Sequence, residues 1–164
     1  METGKRPALL IVDVQKGFVN SNTASIPRLV ERLQNEYETV VATRFINEPG
    51  SPYRVLMEWA RFTPGSEELK LAFEANQNVK VWDKNTYTCV NQEFLEYLRS
   101  KDISEVHICG IDTDICVTKC AVDLFEAGIR PVVLSSYCAS HAGPSFHEPA
   151  LRILRRYIGE KQIR

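Results

Sequence analysis

The chain has no apolar run long enough to cross a bilayer, no excess of either charge and no paired cysteine spacing. Each absence removes a class of protein. The first apolar run, Ala8 to Val12, is cut by Asp13; it is too short for a signal peptide and far too short to span a membrane. Lys and Arg number 20 against 21 Asp and Glu, a formal net charge of -1. Such a balance leaves no footprint for nucleic acid and no polybasic patch for a membrane surface. The five cysteines are an odd number without a disulfide framework, so free thiols in a reducing, cytoplasmic compartment are expected. No repeat, low-complexity tract or linker divides the 164 residues, a length that suits one domain over residues 1–164. A Gly-x-Gly-x-x-Gly loop is also missing. Asp13-Val-Gln-Lys-Gly17 stands where a dinucleotide-binding protein would carry it, which argues against that class.

What is present is an alternation. Ala8 to Val14 reads as a strand apolar on both faces, Ile26 to Glu36 as a helix opened by Pro27, and Thr39 to Thr43 as a second strand. Asn47 to Pro64, with three prolines and several aromatics, reads as an irregular loop or lid with a short helix at Val55 to Ala60. Val79 to Trp82 is a third strand, Gln92 to Ser100 a helix and Glu105 to Cys109 a fourth strand. A helix from about Thr113 to Gly128, a fifth strand at Pro131 to Leu134 and a last helix at Ser145 to Tyr157 follow. Lys161 to Arg164 is at most a stub of a sixth strand. The expected fold is α/β: a three-layer α/β/α sandwich around a mainly parallel sheet of about six strands.

In such sheets ligands bind beyond the carboxyl ends of the strands. That rule selects Asp13 near the end of the first strand, Lys84 past the third and Cys116 past the fourth. With Thr113 as N-cap, Cys116 would sit at the third helical position. There, free N–H groups and the helix dipole lower a thiol pKa and favour the thiolate. A thiol needs a base, which Asp13 can supply, and Lys84 can stabilise both anions. Backbone N–H groups in the turn can hold an oxyanion. Each residue also has a plainer reading. Most free cysteines are small buried residues and most lysines after a strand are solvated; only Asp13, interrupting an apolar strand, would be costly to bury without purpose.

Four segments, taken in order, resemble the isochorismatase-like cysteine hydrolases, relatives of nicotinamidases and N-carbamoylsarcosine amidohydrolases. They are Leu9-Leu-Ile-Val-Asp13-Val-Gln15 with Phe18, Lys84-Asn-Thr-Tyr87, Gly110-Ile-Asp-Thr113-Asp-Ile-Cys116-Val117, and His147-Glu-Pro-Ala150. The resemblance implies an Asp13–Lys84–Cys116 triad in which Asp13 takes the thiol proton and Cys116 attacks a carbonyl to form a thioester. It also implies a cis peptide between Ile111 and Asp112, with the N–H groups of Asp112 and Cys116 facing the oxyanion. Phe18, Tyr87 and Trp59 are the expected substrate-binding residues. Nicotinamidases of the family carry an Asp-x-His metal element after the second strand; Phe45-Ile-Asn47 stands here, so no metal and no cofactor are expected. The expected substrate is a small amide, ureido or carbamoyl compound. A non-catalytic, thiol-sensing member and a vinyl-ether hydrolase of the isochorismatase type are the alternatives.

The remaining candidates read as structural. His141 and His147, six apart, are taken as loop and helix-start residues, with His147 at the crevice rim. Cys89, Cys109, Cys120 and Cys138 are taken as core, although Cys89 follows Lys84 closely enough to line the pocket. The short last strand and the apolar bulk of Tyr53, Leu56, Met57, Trp59 and Phe62 point to a homo-oligomer, most simply a dimer.

Overall fold

The computed structural model describes residues 6–164. Five strands, β1 (Ala8–Val12), β2 (Val40–Phe45), β3 (Val79–Lys84), β4 (Glu105–Ile111) and β5 (Arg130–Ala139), form one sheet in the order β3-β2-β1-β4-β5. Every pairing is parallel. The expected sixth strand shrinks to a single bridge between Ile163 and Val133, because Glu160–Gln162 winds into a 3-10 turn just before it. Helices α1 (Ile26–Leu33), α3 (Gln92–Ser100), α4 (Thr118–Glu126) and α5 (Pro144–Ile158) provide the crossovers and flanking layers. All five residues of β1 are buried, as a strand paired on both sides and covered on both faces requires.

The strand order places β1 and β4 side by side, where the path of the chain reverses across the sheet. That reversal opens a crevice beyond their carboxyl ends. Gly110 makes the close approach possible. Its φ is +121°, and a Cβ there would lie 2.1 Å from the carbonyl oxygen of Val12. Only glycine lets β4 pass so near the end of β1.

Two local expectations fail for identifiable reasons. The lid helix, α2, spans Pro52–Val55 rather than Val55 to Ala60. Ser51 caps it by accepting from the N–H of Arg54, Pro52 opens it, and Glu58 at φ +55° prevents a later helix. The turn after β4 also differs. Asp112, not Thr113, occupies the N-cap place, and Thr113–Val117 winds as a π-helical turn in which Val117 donates to the carbonyl of Asp112 at 3.1 Å. Cys116 is thus the fourth wound residue, not the third. The Thr113 hydroxyl is engaged elsewhere, 2.7 Å from Nδ1 of His147 on α5.

Candidate active site

Asp13 follows β1 with φ +47° and is wholly buried. Its two oxygens are separately held: Thr43 on β2 donates to Oδ1 at 2.7 Å, and the Lys84 ammonium donates to Oδ2 at 2.8 Å. Lys84 ends β3, two strands away from β1, so its side chain must reach across the end of β2. It does so over the Phe45 ring, with Nζ 5.3 Å from the centroid. The carbonyls of Thr86 and Tyr87 accept from Nζ at 2.9 and 3.0 Å, which with Asp13 matches the three donors of an ammonium. The sulfur of Cys116 lies 3.8 Å from the same nitrogen. All three residues selected from the sequence therefore meet around Nζ of Lys84.

Burial works against the charge on Lys84, but the Asp13 carboxylate and the neighbouring sulfur outweigh it and raise its pKa above the usual lysine value. The Cys116 thiol moves opposite to the sequence expectation. Burial pushes it well above the ordinary thiol value; the Lys84 charge lowers it in part, while Asp13 raises it by charge and by hydrogen bonding. A helix N-terminus favours the thiolate only where the sulfur is hydrated or meets an unpaired cation. Here the cation is already paired and the sulfur is buried. Burial thus favours the thiol form of Cys116.

Above the sulfur lies a cavity of about 320 Å³ walled chiefly by Phe18, Phe45, Tyr53, Met57, Trp59 and Tyr87. Phe18, Tyr87 and Trp59, expected to bind substrate, thus share a cavity with Cys116, and Asp112, Ile115 and His141 complete the lining. The Ile111–Asp112 peptide is cis. Phe62 stacks on Phe18 with centroids 4.1 Å apart, backing the wall rather than forming it. Cys89 is not in the lining; its sulfur lies 3.9 Å from that of Cys120 in the core.

Residues 45–47 do not fit a metal. The Phe45 ring packs edge-on against Tyr53 at 5.0 Å. Asn47 spends its amide on the lid, donating to the carbonyls of Trp59 and Arg61 at 2.8 and 2.9 Å while its oxygen accepts from Ser51. Among the described residues no group of three or more His, Cys, Asp or Glu side chains is placed to hold an ion. Sequence reasoning missed His141, treated as a loop residue. Its backbone N–H donates to Oδ1 of Asp112 at 2.7 Å and its ring Nδ1 contacts Oδ2. The signal was available: a second carboxylate near Cys116, if buried, needs a partner.

The isochorismatase domain model matches residues 7–161. An isochorismatase family protein of Bacillus subtilis is 40% identical over 68 residues, 41% of this chain and 37% of that protein's length. The chain therefore aligns with little more than a third of that relative. The nicotinamidase/pyrazinamidase of Mycobacterium tuberculosis is 28% identical over 155 residues, covering 77% of this chain and 83% of that protein. The crystal structure of a cysteine hydrolase from Pseudomonas syringae superposes with a TM-score of 0.81 at 19% identity, over 96% of this chain and 87% of the other. With the domain model covering nearly its whole length, the chain belongs to the isochorismatase family.

Proposed function

We propose that the protein is a metal-independent cysteine hydrolase that cleaves the C–N bond of a small amide, ureido or carbamoyl compound. The observation that carries this reading is the placement of the Cys116 sulfur 3.8 Å from a lysine that is itself bound to Asp13, beneath one cavity. Because the resting sulfur is a thiol, proton removal accompanies attack. Asp13 accepts the thiol proton as the sulfur adds to the carbonyl carbon, and the N–H groups of Asp112 and Cys116 receive the oxyanion. Asp13 then returns the proton to the departing nitrogen, leaving an acyl or carbamoyl thioester on Cys116. Lys84 holds and orients the Asp13 carboxyl group through its hydrogen bond to Oδ2. The aromatic walls favour a compact, largely uncharged substrate.

A thiol-sensing role fits less well, since burial raises the Cys116 pKa and disfavours the thiolate that oxidants attack. A vinyl-ether hydrolase would give no purpose to a thiol set beside a buried Lys84–Asp13 pair. The test is ammonia release from a panel of small amides and ureido compounds by wild type and Cys116→Ser. The expected result is turnover on at least one compound and a loss of at least 100-fold in the variant. Undiminished activity in Cys116→Ser would reject the mechanism.

The reading extends to assembly. Val55, Leu56 and Met57 of the lid are 65%, 79% and 61% exposed, and Met57 also lines the cavity. A homo-oligomer that covers this strip would close the crevice as it forms. Light scattering at micromolar concentration checks it: a mass near 18.7 kDa would show a monomer.

A further inference from the structure

Hydrolysis through a thioester calls on a proton acceptor twice, once for the thiol and once for the water that follows, and one group can serve both only if the water reaches it. Asp13 serves the first. It is wholly buried, with one oxygen held by Thr43 and the other by Lys84. A second acid–base pair faces the same cavity. The Asp112 carboxylate, only 4% exposed, accepts from both the backbone N–H and the ring Nδ1 of His141. A carboxylate has no proton to give, so Nδ1 carries the hydrogen and Nε2 presents a lone pair. Among the described residues nothing hydrogen-bonds to that Nε2. The imidazole lines the cavity with Cys116, yet its side chain remains 39% exposed, whereas Cys116 is 6% exposed. His141 therefore borders the cavity above Cys116 while keeping its own access to solvent.

We infer that His141, oriented by Asp112, is the general base that activates water for hydrolysis of the Cys116 thioester. This rests on the reading of Cys116 as the nucleophile. Water adds to the thioester carbonyl carbon while Nε2 of His141 takes one of its protons. The resulting imidazolium is held by the Asp112 carboxylate. The tetrahedral adduct collapses, the C–S bond breaks, and the electron pair leaves with sulfur. Asp13 carries the remaining hydroxyl proton of the acid product to the thiolate, restoring the thiol. His141 then releases its proton to solvent, so breakdown of the thioester yields one carboxylate and one proton, which balances the proton taken up by the amine released in the first step. Asp112 has two tasks: its N–H faces the oxyanion and its carboxylate sets the tautomer of the base. A metal-bound water is not needed, which agrees with Phe45 and Asn47 having other employment.

The test separates formation of the thioester from its breakdown, with p-nitrophenyl acetate as the acyl donor. Wild type should show a burst of about one p-nitrophenolate per chain and then steady turnover, with the acetyl group mapped to Cys116. In His141→Ala and His141→Gln the burst should persist while the steady rate falls at least 100-fold, with acetyl-enzyme visible in the intact mass. Added imidazole should restore part of the rate in His141→Ala. Deacylation at the wild-type rate, or burst and steady phases falling together, would overturn the assignment while leaving Cys116 as the nucleophile. No acetylation of Cys116 in wild type would overturn both.

Discussion

Replacing Lys84 by methionine leaves the Asp13 carboxylate in a wholly buried place with the Thr43 hydroxyl but no cation beside it. Removing one member of a buried ion pair typically costs about 3–5 kcal/mol, because the other is left uncompensated. Asp13→Asn does the reverse, stranding the ammonium with two carbonyls and a sulfur, and should cost about 3 kcal/mol for the same reason. The double variant buries no charge, so its penalty should fall near that of one single variant rather than the sum. The cycle should therefore show a coupling of about 2–3 kcal/mol. Urea unfolding at neutral pH reads it directly. With a slope of about 2 kcal/mol per molar, each single variant should lower the midpoint by roughly 1.5–2.5 M, and the double by little more. Single effects that add without coupling, or that each stay below about 1 kcal/mol, would show a solvated pair and refute the geometry of the site.

Three further expectations concern the thiols and the lid. Iodoacetamide should label Cys116 before the other four cysteines, since it alone lines the cavity, and the rate should climb with pH instead of levelling near neutrality; a neutral plateau would mark a resting thiolate. Burial pushes Cys109 and Cys138 up, the latter to about 12, so their stabilising contribution is complete below the unfolded thiol value and declines as pH rises above it. Each such thiol should cost about 1 kcal/mol between roughly pH 8.5 and 9.5. The urea midpoint should fall across that interval and fall less in Cys138→Val; an unchanged midpoint would contradict it. Asn47→Ala should leave the Trp59 and Arg61 carbonyls without their donors and cost about 2–4 kcal/mol. Faster hydrogen exchange across residues 47–64 should accompany it, and unchanged exchange would show that Asn47 does not fasten the lid.

The sheet was legible because its strands are short apolar runs at the spacing of βαβ units, and the order β3-β2-β1-β4-β5 follows once β1 is central. Asp13 was legible for a related reason, as a charge in an otherwise apolar strand must have a partner. Lys84 carried no such mark. Its meaning lies in a reach across β2 that begins two strands from Asp13, and no local pattern encodes that distance. The lid helix lies earlier than the expected Val55 to Ala60 because Ser51 and Pro52 set the helix start, and Val55, Leu56 and Met57 are left exposed.

The thiol pKa failed for a deeper reason. The sequence shows which groups neighbour Cys116 along the chain, and those neighbours favour a thiolate. The opposing effect, burial beneath an aromatic wall drawn from β2, the lid and the segment after β3, is contributed from far away in sequence. His141 belongs to the same category. It meets Asp112 only because β5 carries it to the end of β4, with Gly110 paired to Cys138 and Ile111 to Ala139. Residues made meaningful by neighbours on their own strand or helix can be found by reading along the chain. Residues made meaningful by the crevice require the strand order first.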